Sequence, residues 1–135
     1  MARNFTDVCK SMGISPSITR RMIYEYIENA KTHPTAEEIY RSLIDTLPTL
    51  SKTTVYNVVN LFLENDLLIA INTSNNEKRY ELMHDSHSHF ICKNCNKIYD
   101  IPKISTSYNA DSIPDFRIDN EEVNLYGLCP ECMKK

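Results

Sequence analysis

Ser86-His87-Ser88-His89-Phe90-Ile91-Cys92-Lys93-Asn94-Cys95 carries two histidines spaced by one residue and, three residues after the second, the first cysteine of a C-x-x-C pair. Successive side chains of a β-strand point to opposite faces, so a strand here puts His87 and His89 on the same side. A second pair, Cys129-Pro130-Glu131-Cys132, is separated from Cys95 by 33 intervening residues, room for a strand–helix–strand excursion. Two such hooks supply the four thiolates of a closed tetrahedral zinc site at Cys92, Cys95, Cys129 and Cys132. With all four positions taken, that site is structural and not catalytic. A redox C-x-x-C needs only one pair, at a helix start. Zinc-deaminase chemistry asks for His-x-Glu and a proline before the second hook; Pro130 follows Cys129 and no His-x-Glu is present. The fifth thiol, Cys9, fits a small buried residue of the first helix.

The histidines are thereby left for something else. His33, His84, His87 and His89 are the only four, and three of them cluster. His87 and His89, with the carboxylates of Glu81 and Asp100 near them, read either as hydrogen-bonded structural residues or as ligands of a second metal. A mixed imidazole and carboxylate set suits Fe(II), Mn(II) or Zn(II).

A chain of 135 residues that is 41% hydrophobic makes one ordinary domain or two small ones with packed cores. No apolar run is long enough to cross a membrane, and Met1-Ala2-Arg3-Asn4-Phe5-Thr6-Asp7 lacks the apolar core of a signal peptide. Paired C-x-x-C motifs without such a signal point to metal in a reducing compartment, hence to a cytoplasmic protein. The net charge is −3, and both halves are mildly acidic: residues 1–83 hold 9 Lys/Arg against 10 Asp/Glu, residues 84–135 hold 6 against 8. Nucleic-acid binding must therefore come from local placement of cations and not from bulk charge.

Working back toward the N-terminus, residues 3–11 read as a short helix ended by Gly13. Ser15 or Ser17 caps the next helix, with Ile18, Met22, Ile23, Tyr26, Ile27 and Ala30 as its buried stripe. His33-Pro34 breaks it. Thr35 and Glu38 form a capping box for a third helix, whose apolar positions are Ala36, Ile39, Tyr40, Leu43, Ile44 and Leu47. Pro48 ends that helix, and Ser51 caps a fourth running to about Asn65. The fourth helix has an apolar face (Val55, Val58, Val59, Phe62, Leu63) and a nearly uncharged polar face (Lys52, Thr53, Tyr56, Asn57, Asn60). The polar face is either simply solvated or built to read base edges in a DNA major groove, which takes neutral donors and acceptors. Residues 67–71 and 78–82 then read as a hairpin around the Asn72–Glu77 turn. Three helices followed by that hairpin make a winged helix-turn-helix spanning residues 1–83, with Lys78 and Arg79 near the wing tip for phosphate contact.

Residues 84–135 read as a small α+β domain: strands over 87–92 and 97–101, a short helix within 103–113, and a final strand pair at 116–119 and 123–126. Its thin core calls for metal stapling or dimerisation.

Taken together, His33-Pro34-Thr35-Ala36-Glu37-Glu38-Ile39-Tyr40, Thr54-Val55-Tyr56-Asn57, Arg79-Tyr80-Glu81, the His87–Cys95 run, Asp100 and Cys129-Pro130-Glu131-Cys132 resemble the ferric uptake regulator family of bacterial metal-dependent repressors, over almost the whole chain and most of all its peroxide-responsive branch. The resemblance implies a homodimer joined by the C-terminal domains, structural zinc on the four cysteines, and a regulatory Fe(II) or Mn(II) on His33, Glu81, His87, His89 and Asp100. It implies binding to a palindromic operator in double-stranded DNA, with Arg20 among the phosphate contacts, and no small organic substrate or enzymatic turnover. In the peroxide-responsive branch, Fe(II) reacts with hydrogen peroxide, a ligand histidine is oxidised, and the repressor leaves DNA. Asp100 matches that branch. Glu81 stands where it usually has Asp, and Asn124 stands where metal-uptake members often have a histidine of an additional site. Ser17-Ile18-Thr19-Arg20 replaces the usual Thr-Pro-Gln-Arg, keeping the arginine and losing the proline. The resulting expectation is a peroxide-sensing repressor. The alternatives are an iron-, manganese- or zinc-responsive repressor of metal uptake and, in a different class, a zinc-stapled interaction module whose histidines are structural.

Overall fold

The computed structural model describes residues 4–30, 32–73, 76–83, 87–105, 107, 110–118 and 121–134. The extreme N-terminus, the tip of the 72–77 turn and His84 lie outside the described residues. The chain forms two compact units, Met1–Met83 and His84–Lys135.

In the first unit, α1 (Phe5–Met12), α2 (Ile18–Asn29), α3 (Ala36–Leu43) and α4 (Lys52–Glu64) precede a hairpin of β1 (Leu68–Asn72) and β2 (Lys78–Leu82). Each helix begins at a side-chain cap: Asn4, Ser17, Thr35 and Ser51 accept from the backbone N–H of Thr6, Arg20, Glu38 and Thr54. Such caps contribute about 1 kcal/mol each by satisfying an otherwise orphaned donor. Gly13 ends α1 at φ 69°, a left-handed turn that a Cβ would strain. α3 stops at Leu43, short of its apolar repeat. Leu47 N–H still bonds Leu43 O at 2.8 Å, so Ile44 and Leu47 keep facing the core.

Phe5, Tyr24 and Phe62 meet in that core with centroids 5.2 to 6.3 Å apart, and Ile23, Ile39, Val55 and Val59 are fully buried around them. The inward face of α2 therefore includes Tyr24. Ile18, expected in the stripe, is 72% exposed. As the first helical residue its side chain leans toward the N-terminal end of α2 and away from the packed turns that follow. The hairpin pairs Leu68 with Leu82 through Asn72 with Lys78, and Tyr80 N–H donates to Pro34 O at 2.9 Å.

In the second unit, β3 (Ser88–Cys92) is the centre of a three-stranded sheet, antiparallel to β4 (Ile98–Ile101) and parallel to β5 (Asn124–Gly127); a short helix, α5 (Pro130–Met133), follows. Two expectations are corrected. Over 103–113 the described residues hold only a 3-10 turn, Ala110–Ser112, which is all that a stretch rich in small polar residues supports; Thr106, Tyr108 and Asn109 lie outside them. Residues 116–118 are not a strand, Asp119 lies outside the described residues, and the last strand pairs with β3 instead. A parallel partner lies a long crossover away, beyond the reach of local pattern.

Candidate metal centres and nucleic-acid interface

Cys92 is the last residue of β3, and the parallel register pairs it with Gly127, two residues before Cys129. Both hooks therefore emerge at the same end of the sheet. The loop after β3 turns back through Asn96 at φ 61°, with Asn96 N–H on Cys92 O, and α5 starts at Pro130, whose fixed φ suits a first helical position. The four sulfurs lie within 4.8 Å of one another, Cys92 to Cys132 at 3.6 Å and Cys95 to Cys129 at 3.8 Å. An ion bonded to four sulfurs at about 2.3 Å in a tetrahedron sets them about 3.8 Å apart, so the donor set and spacing fit zinc.

The surroundings favour thiolates. Cys92 Sγ accepts from the backbone N–H of Cys95 at 3.5 Å and of Cys129 at 3.4 Å. The Cys95 N–H, helped by those of Cys129 and Asn94 and opposed by burial, brings the Cys92 thiol down to about 6. Asn94 Nδ2 donates to Cys132 Sγ at 3.3 Å. The Tyr99 hydroxyl donates to Cys129, lowering that thiol and itself pushed up to about 12. The C-x-x-C spacing alone marks neither Asn94 nor Tyr99 as a thiolate partner. Asn94 lies inside the first hook, so its position is a signal; Tyr99 becomes a partner only through the β3–β4 pairing.

His33 is buried between α2 and α3, and its Nε2 is 3.4 Å from Glu81 Oε1 on β2. In the second unit, His89 is buried on β3, with His87 just before that strand, their rings 4.6 Å apart. Asp100, opposite His89 across the β3–β4 pair, places Oδ1 3.5 Å from His87 Nε2 and 3.3 Å from His89 Nε2. Each unit thus brings imidazole and carboxylate together, the chemistry of a hard-to-borderline divalent site. Asn124 pairs with His89 in the sheet and offers no imidazole there.

On α4, Lys52, Thr53, Tyr56, Asn57 and Asn60 are all exposed, Tyr56 by 49%, while Val55, Val58, Val59 and Phe62 are buried. The polar face is thus continuous along a helix whose other side is anchored. Lys52 Nζ bonds Glu37 Oε1 at 3.3 Å and lies 5.8 Å from the Tyr40 ring centroid. Arg20 Nη1 donates to Ser15 O at 2.6 Å, holding the entry to α2 without the family's proline. Lys78 is exposed on the wing strand. Arg79 does not stand beside it: its side chain is only 18% exposed and turns onto the segment before α3, with Nη1 3.4 Å from Thr32 O and 3.2 Å from His33 O.

The family model described as the ferric uptake regulator family matches residues 11–126. The peroxide operon regulator of Bacillus subtilis is 33% identical over 132 residues, covering 96% of this chain and 91% of that protein. The peroxide-responsive repressor PerR of Staphylococcus aureus is 30% identical over 129 residues, 93% and 87% of the two chains. Among solved structures, the Helicobacter pylori ferric uptake regulator superposes with a TM-score of 0.74 at 21% identity (97% of this chain, 90% of that one), a likeness of fold. PerR from Streptococcus pyogenes does so with a TM-score of 0.56 at 27% identity (96% and 90%).

Proposed function

The chain belongs to the ferric uptake regulator family, and from that premise we propose that this metal-responsive transcriptional repressor senses hydrogen peroxide through oxidation of its own ligand histidines. Members of the family are transcription regulators that bind DNA as dimers, and none of the chemistry below requires turnover. Zinc is the structural ion, on Cys92, Cys95, Cys129 and Cys132. Fe(II) or Mn(II) is the regulatory ion, with His33 and Glu81 from the first unit and His87, His89 and Asp100 from the second as its ligands. An ion held by groups of both units favours whichever arrangement joins them. If that arrangement spaces two copies of α4 to match a palindromic operator, metal and DNA binding are coupled, and each tenfold in operator affinity needs about 1.4 kcal/mol.

The observation that carries the sensing reading is Asp100 shared by His87 and His89, in a chain one-third identical to a peroxide operon regulator. Fe(II), if held by these residues, would activate hydrogen peroxide beside an imidazole; in the net change peroxide is the oxidant and the ring the two-electron donor, one peroxide oxygen ending on a ring carbon and the other leaving as water. His87 and His89, in ring contact, and the buried His33 present ring carbons next to the ligand nitrogens, and an oxidised ring no longer holds the ion. Brief peroxide exposure of iron-loaded and manganese-loaded protein, followed by peptide mass spectrometry, is the test. An added oxygen on His33, His87 or His89 only in the iron form is the expected result; unmodified histidines in a protein whose operator binding still follows metal make it a metal-uptake repressor.

Dimerisation has a surface to use: in the second unit Phe116, Ile118, Leu125, Tyr126 and Leu128 are exposed apolar side chains, Phe116 by 72%. For DNA reading, Tyr56→Ala removes an exposed ring from the face of α4 and leaves both sets of metal ligands intact. Loss of a base contact costs about 1–3 kcal/mol, so operator affinity should fall roughly 5- to 150-fold with unchanged zinc and manganese content. Titration of a labelled operator would show it, and wild-type affinity would remove Tyr56 from the reading face.

A further inference from the structure

His33 has φ 54°, in the left-handed region, and it precedes a proline. A residue in that place prefers extended backbone, and a histidine at positive φ is uncommon. Something must therefore hold it. Three consecutive residues of β2 do so. Tyr80 N–H donates to Pro34 O at 2.9 Å. On either side of Tyr80, Arg79 and Glu81 share the other face of the strand, as strand alternation dictates. Glu81 meets the His33 imidazole at 3.4 Å, and the Arg79 guanidinium meets the His33 carbonyl at 3.2 Å and that of Thr32 at 3.4 Å. One residue is gripped at its side chain by position 81 and at its backbone by position 79. The guanidinium is itself flanked by Glu77 at 3.0 Å and by Glu38, in the first turn of α3, at 3.8 Å.

We propose that Arg79 is a positioning residue for the regulatory metal: by bonding the carbonyls of Thr32 and His33 it keeps His33 in its left-handed conformation, so that the imidazole is aimed beside Glu81 before the ion arrives. Without it the peptide relaxes toward extended backbone and the imidazole swings away from Glu81. Binding the ion would then have to restore a strained conformation, and a preorganised ligand avoids that cost. The inference rests on His33 being a ligand. It removes Arg79 from the phosphate contacts, which its inward-facing side chain already disfavours.

The test uses full-length, zinc-loaded protein with Mn(II) as the probe, comparing wild type, Arg79→Ala, Arg79→Gln and His33→Ala. Arg79→Ala should weaken Mn(II) binding at least tenfold with zinc content unchanged. Arg79→Gln, which can still donate to one carbonyl, should lose less. In the manganese-free protein the Tyr80 amide, protected by Pro34 O, should exchange faster in Arg79→Ala than in wild type. Wild-type Mn(II) affinity in Arg79→Ala overturns the proposal, as does weakened DNA binding with intact Mn(II) affinity, which returns Arg79 to the phosphate contacts. If Arg79→Ala does not fold, Arg79→Gln decides on the same criterion. Unchanged Mn(II) affinity in His33→Ala instead takes down the ligand assignment itself, whatever Arg79 does.

Discussion

Cys92→Ser will empty the zinc site and unfold the second unit while the first stays folded. Among the described residues of the second unit, the buried apolar ones are Ile91, Cys92, Ile98, Cys129 and Cys132, and three of these five are cysteines. The partly buried Phe90 and Tyr99 pack against those three. The zinc site is thus most of the core that the described residues form. A hydrophobic core of this size supplies at best about 3–5 kcal/mol, whereas a structural zinc in small domains contributes about 10–16 kcal/mol at neutral pH, so loss of the ion decides the outcome. Cys92 is the most damaging of the four to lose, because it also accepts the Cys95 and Cys129 N–H groups that fold both hooks onto one point. The first unit has its own aromatic core and four capped helices and does not draw on the zinc. Metal analysis together with amide hydrogen exchange will separate the two units, and a zinc-replete, dimeric Cys92→Ser protein would refute the four-cysteine assignment.

His89→Ala will have the complementary effect: zinc retained, regulation lost. His89 and Cys92 are three residues apart on β3, so their side chains lie on opposite faces of the strand. Truncating His89 opens a cavity on one face and leaves the hook on the other. It removes the imidazole facing Asp100 at 3.3 Å and the ring neighbour of His87 at 4.6 Å. Losing groups that merely orient a ligand costs about 10- to 100-fold in metal affinity, so losing a ligand should cost at least that. The expected readouts are one zinc per chain, Mn(II) affinity down by about two orders of magnitude or more, and operator affinity that no longer rises when Mn(II) is added. An unchanged manganese response would show that His89 is a structural histidine.

The helices of the first unit were legible because their signals are local. Ser17, Thr35 and Ser51 are caps, and apolar residues recur with the helical period after each. The zinc site was legible for the same reason, since each hook is four residues long. The strand that brings the hooks together was not. β5 meets β3 more than thirty positions away, and nothing in Asn124–Gly127 names a parallel partner over an antiparallel one. The inward turn of Arg79 is hidden for a different reason. Its nearness to the hairpin turn points to solvent, yet alternation puts it on the face of Glu81, and a strand that turns one charged side chain onto the His33 segment turns its i+2 neighbour there too. That signal was available. What the sequence lacked was the left-handed bend at His33, which gives the guanidinium two carbonyls to meet.

The parallel β3–β5 pairing also sets the order of events when the second unit folds. The β3–β4 hairpin can zip early, because only the short 93–97 loop separates its strands. Docking β5 must close a much longer loop before any of its hydrogen bonds form, the kind of non-local contact that slows folding. The first hook, carried by the hairpin, is complete before β5 docks, and an ion already held by Cys92 and Cys95 would turn the search for β5 into capture of Cys129 and Cys132 by a tethered metal. Zinc would then act as a folding nucleus as well as a staple, and refolding of the second unit should be faster when the ion is present from the start than when it is added after the chain has collapsed.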